Sequence, residues 1–348
     1  NGCTSTASTT IASYSLPTTN VTASCNVLVP GSNSVLSANA SAGSGTVTNY
    51  SWALNGTTIS GATSATYTTA NNAAGSYTVT VTNSNGCSAT SAPFAISNLT
   101  GPLAAGSYTI NPNGCSFKSI NAAVTYLSNN GLSGNVVFNV PAGYTETAPA
   151  GGIMLNQCAL AANVKSGPNA TITFIKSGSG ANPLITAGVG ISTSLDGIFE
   201  IVGVDNVTLN GIDLQESAAN TTATTRAEFG YAVLKCSGDD GSNDVTITNC
   251  KVTLTNAYAS NYGIYIGNHT AASTTAFSNI AVASTPQASR NKVSIVSNTI
   301  LNCYNGIRLT ANASTTASNV SLNDTLNLIA NNTITGFGSS STSASGIY

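Results

Sequence analysis

A short strand motif that recurs with constant shape but at irregular intervals is the strongest constraint on this chain. Val207-Thr208-Leu209, Val245-Thr246-Ile247 and Val293-Ser294-Ile295 share one pattern. Leu214, Val252 and Ile300 each follow at an offset of five from Leu209, Ile247 and Ile295, and Ile329 with Ile334 continues the pair. From Leu209 to Ile247, Ile295 and Ile329 the steps are 38, 48 and 34 residues. A second strand recurs as Gly263-Ile264-Tyr265, Gly306-Ile307-Arg308 and Gly346-Ile347-Tyr348. A propeller keeps a steadier period, whereas stacked coils tolerate loops of any length. The pattern predicts a right-handed parallel β-helix over 107–348. Asn298 and Asn332 fall at equivalent repeat positions. They read either as rungs of an asparagine ladder between coils or as exposed turn residues.

A solenoid needs its first coil covered. The spacing of Phe117, Ile120, Ala123, Val124 and Leu127 predicts a capping helix at about 116–129, with Ser116 as its cap and Gly131 as its stop.

Residues 19–97 carry a different pattern. Short alternating runs at Val21–Ala23, Val35–Ala38, Tyr50–Leu54, Tyr67-Thr68 and Tyr77–Val81 are separated by turn residues, with Asn55-Gly56 as a hairpin signal. These features predict an Ig-like β-sandwich. The order Cys25, Trp52, Cys87 predicts a Cys25–Cys87 disulfide beside a core tryptophan. Residues 98–106 read as a linker. Asn1-Gly2-Cys3-Thr4-Ser5-Thr6 echoes Asn85-Gly86-Cys87-Ser88-Ala89-Thr90. Residues 1–18 are therefore expected to be the tail of a preceding truncated repeat. The stop at Gly346-Ile347-Tyr348 is expected to fall mid-coil in a longer chain. The whole is expected to be all-β.

Charge narrows the chemistry. Only 6% of the 348 residues are charged, against about 25% in ordinary soluble domains. The net charge of −2 excludes a basic nucleic-acid surface. No apolar run approaches the ~18 residues of a membrane span. Residues 1–117 hold no charge, and nine of the eleven acids lie between Asp196 and Asp244. Dispersed cysteines without a CxxC, and a single histidine, argue against zinc and for an oxidising, extracellular setting. Cys115–Cys158 and Cys250–Cys303 are the remaining pairings expected, although spacing alone leaves others open.

Asp239, Asp240 and Asp244 share a Gly-containing loop, which suits structural calcium or a solvated turn. No other cofactor is expected. Acids such as Asp205 and Asp213 sit in turn-like contexts, none recurring at matching repeat positions, and His269 is expected to be exposed. A carbohydrate-active β-helix would instead need carboxylates converging between 196 and 251.

Trp52, Gly75-Ser76-Tyr77-Thr78-Val79-Thr80-Val81 and Asn85-Gly86-Cys87 resemble the Ig-like or PKD-like repeats of large secreted proteins of Bacteroidota-type bacteria. Gly106–Ile110, Phe117–Ala123 and Leu132–Val140 are similar to the start of their β-helix domains. The resemblance implies type IX secretion, contact with that machinery, and a role as a cell-surface adhesin of the gliding-motility kind. Asp324-Thr325-Leu326 resembles the O-glycosylation motif of such exported proteins, with Thr325 as acceptor.

The expected function is thus an extracellular adhesin or surface-filament segment. It would bind glycan or partner surfaces through β-helix loops at 268–291 and 310–325, with Ig-like modules as stalk. The chain is expected not to be an enzyme. The alternatives are a polysaccharide lyase or hydrolase, or a structural spacer.

Overall fold

The structure is a computed structural model. It describes residues 2–161, 165, 170–191, 195–236, 240–257, 261–271, 292–310, 327–336 and 346–347. The chain divides into two compact units, Asn1–Leu99 with Asn113–Ser116, and Thr100–Pro112 with Phe117–Tyr348.

The first unit is an Ig-like sandwich. Thr18–Ala23, Val35–Ser41 and Thr66–Thr68 form one antiparallel sheet. Val27–Leu28, Phe94–Asn98, Gly75–Asn83, Val47–Leu54 and Thr57–Thr58 form the other, with Ser88–Thr90 pairing on Gly75–Asn83. Apolar residues at every second position turn Val21, Leu36, Trp52, Tyr77, Val79 and Val81 into the core. Trp52 is fully buried and its indole N–H donates to the Ser64 carbonyl at 2.9 Å. Asn55 (φ 51°) and Gly56 (φ 81°) make the tight hairpin turn, where two consecutive positive φ values favour this pair.

Cys25 bonds not to Cys87 but to Cys115. Cys25 lies at the Val35 end of strand Val35–Ser41, where the Ser24 N–H donates to the Val35 carbonyl. Cys87 lies at the other end, where its N–H donates to Asn83 Oδ1 and the Asn83 amide reaches the Ala42 carbonyl. A strand of that length holds the two cysteines about 20 Å apart, far beyond the reach of a disulfide. Cys87 is free.

The second unit is a parallel β-helix of three sheets. The first sheet runs Gly106–Thr109, Val136–Pro141, Ile172–Ser177, Val207–Asn210, Thr246–Thr248, Ser294–Val296 and Leu328–Ala330. The second runs Thr145–Thr147, Leu184–Thr186, Asp213–Gln215, Lys251–Thr253, Thr299–Leu301 and Thr333–Thr335. The third runs Ile153–Asn156, Gly197–Val202, Phe229–Lys235, Tyr262–Thr270 and Asn305–Leu309, and a bridge from Ile307 to Ile347 extends it. Leu209, Ile247, Ile295 and Ile329 are register partners, as are Leu214, Val252, Ile300 and Ile334.

The turn between the first and second sheets repeats one conformation. Gly211, Asn249, Ser297 and Asn331 all take left-handed φ, between 55° and 69°. The next residue in three of these turns builds the ladder. Asn298 Nδ2–H donates to the Ile247 carbonyl and to Asn332 Oδ1, while Asn298 Oδ1 accepts the Cys250 N–H. The Asn298 side chain is buried, so these are rungs rather than exposed turn residues.

The helix spans Ile120–Asn130. Its cap is Ser119, not Ser116, because Ser119 has extended backbone and its Oγ accepts the Ala122 N–H. Glu146, from the second sheet, accepts the Ile120 and Asn121 N–H groups at 2.8 and 3.0 Å and the Tyr144 hydroxyl at 2.9 Å. A carboxylate at a helix N-terminus satisfies orphan donors and meets the positive end of the dipole. Glu146→Ala is therefore expected to destabilise the β-helix by about 2 kcal/mol in urea melts, and Glu146→Gln by less than half of that.

Candidate functional site: the outer face of the third sheet

Alternation along the strands gives the third sheet two faces. Ile153, Phe199, Tyr231, Ile264 and Ile307 are register partners, and Phe199 packs on Phe174 of the first sheet in the interior. Their neighbours Met154, Glu200, Ala232, Tyr265 and Arg308 form the outward column. This outward face is itself packed. Val202, Phe229, Ala232, Leu234, Tyr262 and Tyr265 make a second apolar cluster there, with Phe229 and Tyr265 stacked at 4.4 Å.

Ionisable groups gather around that cluster. Glu200 is 1% exposed, and its Oε1 accepts the Gly197 N–H at 2.6 Å. Its Oε2 has no hydrogen-bond partner among the described residues. Burial, with Asp196 nearby, pushes its pKa up to about 8. Asp196 and Glu228 precede neighbouring strands, and Gly197 and Phe229, the residues after them, are register partners. Glu228 Oε2 accepts the Asp196 N–H at 3.0 Å, and Asp196 Oδ2 accepts the Ile191 N–H at 2.7 Å. With Glu228 Oε2 held at the Asp196 backbone, the two buried carboxyls are neighbours on adjacent strands. Burial raises both pKa values, and the neighbouring Asp196 carboxyl adds to the effect of burial on Glu228, pushed up to about 9. Glu216, raised by burial, accepts from Asn220 and from the Ala227 N–H close by.

Cations and aromatics complete the face. The Arg308 guanidinium carbon lies 5.6 Å from the Tyr262 ring centroid, a cation–π distance. His269 is buried, not exposed as expected, because its ring packs 5.4 Å from that of Tyr265. Its Nδ1 faces the Thr270 carbonyl at 2.9 Å. Lys235 ends the middle strand and is fully buried.

Chemically, carboxylic acids that keep their proton near neutral pH are suited to proton donation. Glu200 is such an acid.

Other expected sites fall elsewhere. Asp240 pairs with Lys165 at 2.7 Å and Asp244 with Lys292 at 3.4 Å. Asp205 instead accepts two hydrogen bonds from Asn243, and burial raises its pKa to about 6. Among the described residues no group of three or more His, Cys, Asp or Glu is placed to hold a metal. Asp239, Thr325 and most of the two loops expected to bind lie outside the described residues.

The tentative disulfides are also corrected. Cys158 bonds to Cys236, so Cys115–Cys158 does not form. Cys250 and Cys303 are buried free thiols. Cys250 precedes Lys251–Thr253 and Cys303 follows Thr299–Leu301, the neighbouring strand, so they lie at opposite ends of a paired strand segment. Burial pushes their thiols up to about 11 and about 12, which keeps them unreactive.

The architecture defines an all-β protein, an Ig-like sandwich followed by a parallel β-helix. Residues 18–97 match the PKD domain model. Among solved structures, the chain is similar to a β-sandwich carbohydrate-binding module at 26% identity, over 26% of this chain and 38% of that one, with a TM-score of 0.23. The chain thus spans well under half the length of that protein. It is also similar to a family 28 exopolygalacturonase from Yersinia enterocolitica at 12% identity, over 91% of this chain and 69% of that one, with a TM-score of 0.30. No curated protein matches the sequence. The presence of a polysaccharide-cleaving enzyme among the similar structures overturns the expectation that the chain is not an enzyme. That likeness transfers no residue; the placement of the acids in this chain is a separate observation. Asp196, Glu200 and Glu228 lie together on the third sheet, while Glu146, Asp205, Asp240 and Asp244 lie elsewhere. The two disulfides and the PKD-type module fit an extracellular protein.

Proposed function

We propose that this chain is an extracellular glycan-engaging protein that cleaves polysaccharide at the outer face of its third sheet, with Glu200 as proton donor. The observation that carries this reading is the cluster of Asp196, Glu200 and Glu228 on the third sheet, with Arg308 three strands further along the same outward column. Carboxyls kept protonated supply the acid that glycosidic cleavage needs.

Attachment to glycan or cell surfaces is the second reading. It is favoured by the PKD-type module and by the near-complete burial of Asp196, Glu200 and Glu228. Placement on a bacterial cell surface by type IX secretion belongs with that reading and rests on the motif resemblance.

Incubating the full chain with a panel of neutral and acidic polysaccharides, and measuring both reducing ends and retention on the insoluble glycans, separates the two. Cleavage predicts reducing ends above buffer for at least one glycan. Retention with reducing ends at the buffer level would sink the cleavage reading in favour of attachment.

A further inference from the structure

Asp196 and Glu228 occupy a column that runs along the edge of the third sheet. Asn261 stands at the next position, since Phe229 pairs with Tyr262 in register. The Glu228 and Asn261 side chains each bond the backbone of an adjacent coil, while Asp196 Oδ2 accepts the Ile191 N–H of its own coil. Glu228 Oε2 takes the Asp196 N–H from the coil before it, and Asn261 Oδ1 takes the Tyr304 N–H at 2.6 Å from the coil after it. The main chain is equally committed. The Asp196 carbonyl accepts both the Glu228 and Phe229 N–H groups, and the Glu228 carbonyl accepts that of Tyr262.

An amide rung is neutral, whereas two carboxylates on neighbouring rungs repel each other. Side chains stacked one strand apart are about 4.8 Å from each other. The Asp196 side is also dry and tight. Asp196 is 4% exposed and borders a slot walled by Gly151, Gly152, Gly188, Gly190 and Gly197. A Cβ on Gly152 or Gly188 would run into backbone carbonyls, so the slot cannot widen without moving main chain. Asp196 Oδ1 has no hydrogen-bond partner among the described residues, and the buried acid beside it is Glu228, whose Oε2 lies 3.0 Å from the Asp196 nitrogen.

We infer that the Asp196–Glu228 pair is a proton-dependent clasp between two coils, closed while the shared proton is present and opened when it leaves. The inference is independent of any action on glycan. Among the described residues, the titratable groups around the pair are few. Glu200 faces Asp196 from the same strand and adds negative charge. Glu216 and Arg226 lie on the preceding loop, where they act on each other. The Gly151-Gly152 side and Ile191 contribute no charge, and Asn261 on the following coil is an amide. No cation is therefore set to replace the proton.

The sign follows from burial. Glu228 keeps its proton in the folded chain to about pH 9 and would lose it near 4.5 when unfolded. The folded state thus binds more protons between those values, and stability falls as pH rises through that window.

The experiment is the thermal midpoint of the full chain from pH 5 to 10, for wild type, Glu228→Gln, Asp196→Asn and Glu200→Gln. In either of the first two variants an amide donates the missing hydrogen bond permanently. Each is expected to lose a clear part of the wild-type decline toward alkaline pH and to melt above wild type at pH 9. Glu200→Gln is expected to keep the part of the decline that the pair contributes. Should one pair variant fail to fold, the other carries the test. A decline in both pair variants as steep as in wild type would overturn the clasp. So would the absence, in wild type at pH 7, of a protonated-carboxyl infrared band that either pair variant removes.

Discussion

Replacing Cys158 and Cys236 together by serine is expected to cost the β-helix about 4 kcal/mol. The bond closes a loop of 78 residues and joins coils that are not neighbours in the third sheet. Strand Gly197–Val202 lies between the two strands it links. Both sulfurs lie near the Val202 carbonyl, at 3.7 and 3.8 Å, so the bridge arches over the Val202-Gly203 backbone. Gly203 makes that possible. Its φ of 58° is left-handed, and a Cβ there would collide with the Cys236 sulfur. Gly203→Ala should therefore destabilise through the same contact. Urea melts of the double serine variant, compared with wild type without reductant, check the magnitude. A loss below about 1 kcal/mol would mean that the bridge constrains little.

Asn298→Ala is expected to cost about 3 kcal/mol. The side chain is buried and links three coils, taking the Cys250 N–H and donating to the Ile247 carbonyl and to Asn332. Alanine leaves a buried donor and a buried acceptor without partners, and each such group costs about 1–3 kcal/mol. Asn332→Ala is expected to cost less, because Asn332 is only half-buried. Hydrogen exchange gives a second measure, since the Cys250 amide, which donates to Asn298 Oδ1, should lose protection in the alanine variant. Unchanged protection at Cys250 would show that the rung is not made in solution.

The asparagine ladder was legible because both its rungs fall in repeats that share Asn-Thr-Ile. The β-helix was legible for the same reason. A buried aliphatic at constant offset is what stacking demands, and loops of any length leave that offset untouched. The cysteines were not legible. Cys25 and Cys87 flank a tryptophan in the order typical of Ig domains, but sequence order carries no information about which end of a strand a residue occupies. Cys158 and Cys236 are joined by a bend over one glycine, which has no pattern in sequence.

The candidate site was half legible. Tyr265 and Arg308 hold the same place in the Gly-Ile repeat, so their column could have been read. Glu200 was hidden by a one-residue shift, since Gly197 pairs with Phe229 whereas Gly230 is the glycine that aligns with Gly263 and Gly306. Asp196 and Glu228 read as loop acids because like charges are not expected on adjacent rungs. The proton that reconciles them appears only once their burial is known. His269 likewise seemed exposed from its Ser/Thr/Ala-rich surroundings, although its ring packs on Tyr265.

The central claim is that the outer face of the third sheet acts on glycan through Glu200. Its most direct measurement is reducing-end release by wild type and Glu200→Gln on the polysaccharide that the panel selects, with thermal melts run in parallel. The glutamine keeps an oxygen for the Gly197 N–H but has no proton to give. The account predicts at least a ~100-fold loss of release, with melting and glycan retention close to wild type. Equal release by the two proteins would contradict it.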